Sequence, residues 1–217
     1  MHTHPHSGIL QTWHFQRLAS MPEPQLEPFY RLNTLRIAAH HEAGHAVMMW
    51  WHGHGFDSVS ICLDRPGTGR VRCRSVFADI PCQELWRQDD ATWALVAAKI
   101  MQEVEWSLAG PMAEARYVAE PICSALATFD DAYEALGLLG RLKQVEVGRT
   151  RLAPMEIKEV YQNLKLAQKR IEGHFGHPSV WRAVETLAEA LVSEGCLSGS
   201  QAREVIRQGY GGSEPST

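Results

Sequence analysis

The stretch AAHHEAGHAVMMWW, residues 38–51, constrains this chain more than any other. It reads as a helix facing a core, yet it carries two imidazoles and a carboxylate inside an apolar run. A polar group buried without a partner costs roughly 1–3 kcal/mol, so a fold that buries this helix must give His41, Glu42 and His45 something to bind. His41 and His45 lie four residues apart, about 40° around a helix. Both rings therefore project from one face, where two nitrogens can reach a single ion. Ile37, Ala38, Met48 and Met49 continue that face and predict partly apolar walls. Glu42 falls beside such an ion and is poorly aligned to ligate it.

The spacing is H-E-x-x-H, in which two histidines hold zinc and the glutamate takes a proton from the metal-bound water. Binding lowers the water's pKa from about 15.7 to about 7, which is why a weak base such as Glu42 suffices. A chain with 11 histidines can also produce five such residues by accident. The expectation of zinc therefore requires a third protein ligand, since catalytic zinc normally has three and one open position. Asp130, Asp131, Glu134, Glu105, His52, His54 and the cysteines are the candidates. Helical register favours Asp131 over Asp130, because Ala135, Leu138 and Leu139 follow the former on one face, whereas Glu134 and Gly137 follow the latter. A carboxylate at a helix N-terminus is equally at home there without a metal. His52 and His54 flank helix-ending glycines and read as loop residues. His2, His4 and His6 lie in an arm too irregular to preorganise an ion.

The sequence has 217 residues, 45% of them apolar, enough for one sizeable core. Residues 1–31, with Pro5, Pro22, Pro24 and Pro28, read as an irregular arm, 32–208 as the folded domain and 209–217 as a disordered tail. Asn33 or Thr34 can cap the first helix, which runs to about His52. FDSVSICLD and GRVRCRSVF, separated by RPGTG, predict a hairpin. Helical periodicity then places helices near 83–109, 112–119, 129–147, 154–174, 178–194 and 199–208, with Pro154 and Pro178 in first turns and Ser198 as a cap. The fold class is mainly α with a small β-sheet. Trp50, Trp51, Trp86, Trp93, Trp106 and Trp181 fall at helical positions and predict core or subunit contacts.

A net charge of −4 gives no general attraction to nucleic acid or anionic membrane. No run of eighteen apolar residues or signal-peptide pattern is present, and the five scattered cysteines read as reduced thiols. A cytoplasmic location is the expectation. RPGTGR lacks the Gly-Lys-Ser/Thr ending of a phosphate loop and reads as a turn.

RIAAHHEAGHAVMMWW followed by DSVSI resembles the peptidase domain of FtsH-type membrane proteases, whose H-E-A-G-H helix precedes a strand with a V-S-I signature. LAGPMAEARY, residues 108–117, is similar to that family's L-A-G-R-A-A-E-E segment. TFDDAYEAL falls where the family has an aspartate leading a helix, and VETLAEALVSEGCLSGSQAREVI resembles its closing helices. The resemblance spans about residues 32–208. It implies an FtsH-like zinc peptidase domain in which His41, His45 and Asp131 are ligands and Glu42 is the base. Pro111 stands where the family has a basic residue and Ala115 where it has a second glutamate. The residues present include neither the family's ATPase module nor its membrane anchor, so the expected activity is ATP-independent cleavage of flexible or unfolded polypeptides.

GRVRCRSVF predicts an edge strand on which an extended peptide can pair, which makes Gly69, Val71 and Cys73 candidate substrate-binding residues. Arg70, Arg72 and Arg74 on the opposite register would equally serve an ordinary edge by discouraging aggregation. The competing expectation, from another class, is a catalytically silent metal-stabilised module that binds a protein partner. The family assembles as rings, so self-association of this chain is a further expectation.

Overall fold

The computed structural model describes residues 23–73, 84, 85, 87–119, 128–150 and 157–212. Among them are six α-helices and three short strands: α1 Glu23–Trp51, β1 Ser58–Ile61, β2 Gly69–Arg72, α2 Asp90–Val118, α3 Thr128–Thr150, α4 Ile157–Gly176, α5 Pro178–Glu194, β3 Cys196–Ser198 and α6 Gly199–Tyr210. The fold is mainly helical, with one small antiparallel sheet ordered β2-β1-β3. No helix among the described residues is long and apolar enough to cross a membrane.

α1 and α2 form the centre. Ala39, Ala43, Ala46 and Val47 of α1 are fully buried, as are Val104, Ala109 and Ala113 of α2. Small residues at this crossing let the two backbones approach closely. A Cβ added to Gly44 would lie 2.5 Å from the Ala109 carbonyl oxygen, so the glycine of the H-E-A-G-H stretch is a packing requirement of the α1–α2 contact. The second half of the core comes from α5 and α6, whose Leu187, Leu191 and Ile206 are completely buried. Trp50 and Trp106 join this core, and Trp51, Trp93 and Trp181 pack partly buried against it.

The hairpin forms as expected, with Val59 opposite Val71 and Ile61 opposite Gly69. β3 was not foreseen between the last two helices. Gly195, at φ 72°, ends α5 and turns the chain alongside β1, where the Ile61 N–H donates to the Gly195 carbonyl at 2.8 Å. Three residues are too few to show alternation in a sequence. Pro178 occupies the first turn of α5, and Ser198 caps α6 through a capping box with Gln201.

Several boundaries differ from the sequence reading. α1 starts at Glu23, ten residues before the expected cap at Asn33, and so takes in part of the supposed irregular arm. Pro24 falls in the first turn, where its missing N–H is no loss, and Pro28 gives up a single backbone hydrogen bond. α2 begins at Asp90 because the Asp89 side chain accepts from the Thr92 N–H at 2.9 Å, and it runs unbroken past Pro111 to Val118. The expected break at residues 110 and 111 is absent. An interior proline costs about 3 kcal/mol, and burial of Ala109 and Ala113 against α1 on either side of it opposes that cost. Residues 1–22, Arg74, Cys82, Trp86, Cys123, Pro154 and the segment 213–217 lie outside the described residues.

Candidate metal centre

One turn of α1 brings His41 and His45 onto the face that meets α2, and the first turns of α3 bring Asp131 across from them. The two Nε2 atoms are 3.1 Å apart; His41 Nε2 lies 3.1 Å from Asp131 Oδ2, and His45 Nε2 lies 3.5 Å from Asp131 Oδ1. One donor atom from each residue thus falls within 4.8 Å of the others, and the three form a group that can hold a metal ion. The register argument for Asp131 agrees with the burial of α3, where Ala135 and Leu139 are buried. The side chain of Asp130 lies outside the described residues.

The opposite nitrogens of both rings are tied down. His41 Nδ1 lies 2.9 Å from Glu114 Oε2, and His45 Nδ1 lies 2.7 Å from the Trp106 carbonyl. A carbonyl only accepts, so His45 must carry its proton on Nδ1, which leaves the Nε2 lone pair aimed at the shared point. The Glu114 carboxylate fixes the same tautomer for neutral His41. Such a partner on the far nitrogen orients a ligating ring and raises its basicity. Neither Glu114 nor the Trp106 carbonyl was singled out from the sequence. The available signal was Glu114 standing four residues after Gly110 on α2, on the face that meets α1.

Gly110 itself makes room for the ring. A Cβ there would sit 2.2 Å from His45 Nε2, closer than atoms can approach. Pro111 follows it, and the Ser107 carbonyl four residues earlier has no N–H at Pro111 to accept. The Trp106 carbonyl, one residue before Ser107, accepts the hydrogen bond from His45 Nδ1–H.

Electrostatics divides the two histidines. Burial alone would lower the pKa of His41, but the hydrogen bonds to Asp131 and Glu114 outweigh it and raise the value to about 9. Burial, reinforced by the charge of His41, pushes His45 down to about 4. These opposite directions place the proton of the pair on His41, whose Nε2 faces Asp131 and His45 Nε2 in the space where all three donors converge. A cation bound there takes that proton's place.

Glu42 is buried beside this cluster and lies outside the donor group. Desolvation raises its pKa to about 7, with the Asp131 charge adding to the rise, while the charge of His41 and a hydrogen bond from the Val71 N–H oppose it. That bond follows from the sheet. The carbonyls of Thr68 and Arg72 face β1, accepting from Cys62 and Asp57, so alternation turns the backbone groups of Gly69 and Val71 to the open side. Among the described residues β2 is an edge strand, and Arg70 and Arg72 are exposed on it. Gly69 and Val71 lie beside Glu42, and the Val71 N–H is already engaged by its carboxylate. Cys73 follows the strand and is exposed.

The remaining candidates are used elsewhere. Glu105 is buried between Arg170 Nη1 and His52 Nε2, each 2.9 Å away, and these partners offset its burial to leave its pKa lowered. The His52 Nε2 contact is close but lies off the hydrogen-bonding line. His54 packs on the Trp106 ring at 4.3 Å between centroids, and Glu134 is exposed on α3. Cys62, Cys73 and Cys196 are free thiols outside the donor group. No protein-family model matches this chain, and no curated protein matches it.

Proposed function

We propose that this chain is a zinc-dependent endopeptidase of FtsH-like fold that cleaves flexible or unfolded polypeptides without ATP. The observation that carries the reading is the convergence of three protein donors among the described residues, with a buried carboxylate beside them that does not belong to the donor set. A purely structural zinc site is closed by four protein ligands and has no use for a neighbouring base. Two imidazoles and one carboxylate are a donor set suited to zinc.

His41, His45 and Asp131 would hold the ion, with Glu114 and the Trp106 carbonyl keeping both rings aligned. When bound, zinc acidifies a water molecule and polarises the carbonyl to be attacked. Glu42, whose proton affinity is already lifted into the neutral range by burial, accepts the water's proton and can return it to the leaving amine. The open side of β2, at Gly69 and Val71, offers backbone groups to an extended chain, which would align a peptide bond with Glu42. A peptide bond inside folded structure is held by its own pairing and packing and cannot be drawn into the site, so the substrates are loops, tails and unfolded segments.

The test is Glu42→Gln in zinc-loaded protein, assayed on an unstructured substrate such as casein. Zinc content should stay at one per chain while cleavage falls by at least about 100-fold, the lower range for loss of a general base. A wild-type protein that holds zinc but cleaves nothing in a broad peptide library would refute the reading in favour of a silent binding module.

A further inference from the structure

We infer that Gly69 is a positioning residue for the Glu42 carboxylate, acting by having no side chain. The inference rests on the peptidase reading above and goes beyond it by giving the edge strand a part in the chemistry. A Cβ built on Gly69 would lie 2.5 Å from Glu42 Cγ, 2.7 Å from Oε1 and 2.8 Å from Cδ. Its three nearest neighbours all belong to that one side chain. The base therefore lies flat against the Gly69 backbone, with the Val71 N–H two residues on donating to its carboxylate. Strand β2 is both wall and hydrogen-bond donor for Glu42.

The collision has an unusual consequence. Gly69 pairs with Ile61 in ordinary extended backbone, and its φ is not among the positive values found at Gly53, Gly67, Gly195, Gly211 and Gly212. Alanine can adopt that conformation without strain. What must move is the Glu42 side chain from Cγ outward and no backbone atom, so the pairing of β1 with β2 can stay in place. The same movement takes the carboxylate away from Val71 and from the three-donor cluster, and a displacement of about 1 Å in reacting groups can cost about 100-fold in rate. Gly69→Ala should thus separate stability from catalysis.

The experiment compares zinc-loaded wild type, Gly69→Ala, Glu42→Gln and the double variant. Readouts are peptide hydrolysis, thermal midpoint, zinc content and the affinity of acetohydroxamate, a zinc chelator whose hydroxyl proton needs a carboxylate acceptor. Gly69→Ala should lower kcat about 100-fold with zinc content and thermal midpoint unchanged, and should weaken acetohydroxamate by at least about tenfold. Added to Glu42→Gln, it should change neither kcat nor acetohydroxamate affinity further, because its effect passes through that carboxylate. Wild-type kcat and acetohydroxamate affinity in Gly69→Ala would overturn the inference, as would full additivity in the double variant. A wild type that binds zinc and acetohydroxamate but hydrolyses no peptide would sink the peptidase reading alone, leaving the acetohydroxamate comparison to decide the role of Gly69. A protein that takes up no zinc would overturn both.

Discussion

Glu114→Ala probes the link between the ligand shell and its support. The Glu114 carboxylate lies 2.9 Å from His41 Nδ1 and is 5% exposed, so water has little access to replace it. Two effects follow, of opposite sign. The ring loses its orientation and part of its basicity, and losing such a supporting partner costs about 10–100-fold in metal affinity, or about 1.4–2.7 kcal/mol. Against this, Glu114 is one of the groups that raise the pKa of His41 to about 9 in the metal-free protein. Below that pH a proton occupies the nitrogen that zinc needs. At pH 7 a group with a pKa of about 9 is protonated about 99% of the time, which depresses apparent affinity by about 100-fold. Removing Glu114 lowers that pKa and relieves some of the competition.

The two effects have different pH signatures. In wild type the logarithm of zinc affinity should climb by about one unit per pH unit until it levels near pH 9. In Glu114→Ala it should level earlier, since the His41 proton is held less tightly, and the plateau should lie about 10–100-fold lower. Near pH 7 the curves converge. Competition titrations against a chelator of known zinc affinity, repeated across the pH range in metal-free protein, would trace both curves. Profiles of the same shape and height would refute the assignment of Glu114 as the partner that orients and charges His41.

Gly110→Ala places a methyl group 2.2 Å from His45 Nε2 and must turn that buried ring off the shared point. Zinc affinity should fall by more than the roughly 100-fold ceiling of a lost supporting contact, and an unchanged zinc stoichiometry at micromolar concentration would contradict the packing argument. Zinc uptake at pH 7.5 should release about one proton per ion, because His41 is the donor that holds one at that pH while His45, lowered to about 4, is already free. Calorimetry in buffers of differing ionisation enthalpy measures that number directly, and a value near zero would mean that His41 is not the protonated partner.

What the sequence disclosed and what it hid differ by range. The H-E-x-x-H spacing is a property of one helix, so 3.6-residue geometry was sufficient to align His41 with His45. The inward phase of α3 was legible too, from Asp131, Ala135 and Leu139, because a single helix again carries the pattern. Pro111 misled for the same reason: local propensity argues for a break, and only the burial of Ala109 and Ala113 against another element holds the helix together. β3 owes its existence to β1, which is more than a hundred residues away in sequence.

The glycines extend that argument to the site itself. Gly44, Gly69 and Gly110 all look like ordinary small residues in the sequence, and in isolation each would weaken the element that contains it. In the fold Gly44, within the H-E-A-G-H helix, meets the backbone of α2, while Gly110 meets that helix's His45 ring and Gly69 its Glu42 side chain. Two of the three function-bearing side chains of that helix are thus bounded by a missing Cβ on another element. The motif supplies the chemical groups, and the absent side chains opposite them set where those groups can stand. A substitution that restores bulk at Gly69 or Gly110 should therefore disable the site with every ligand and the base still present in the sequence.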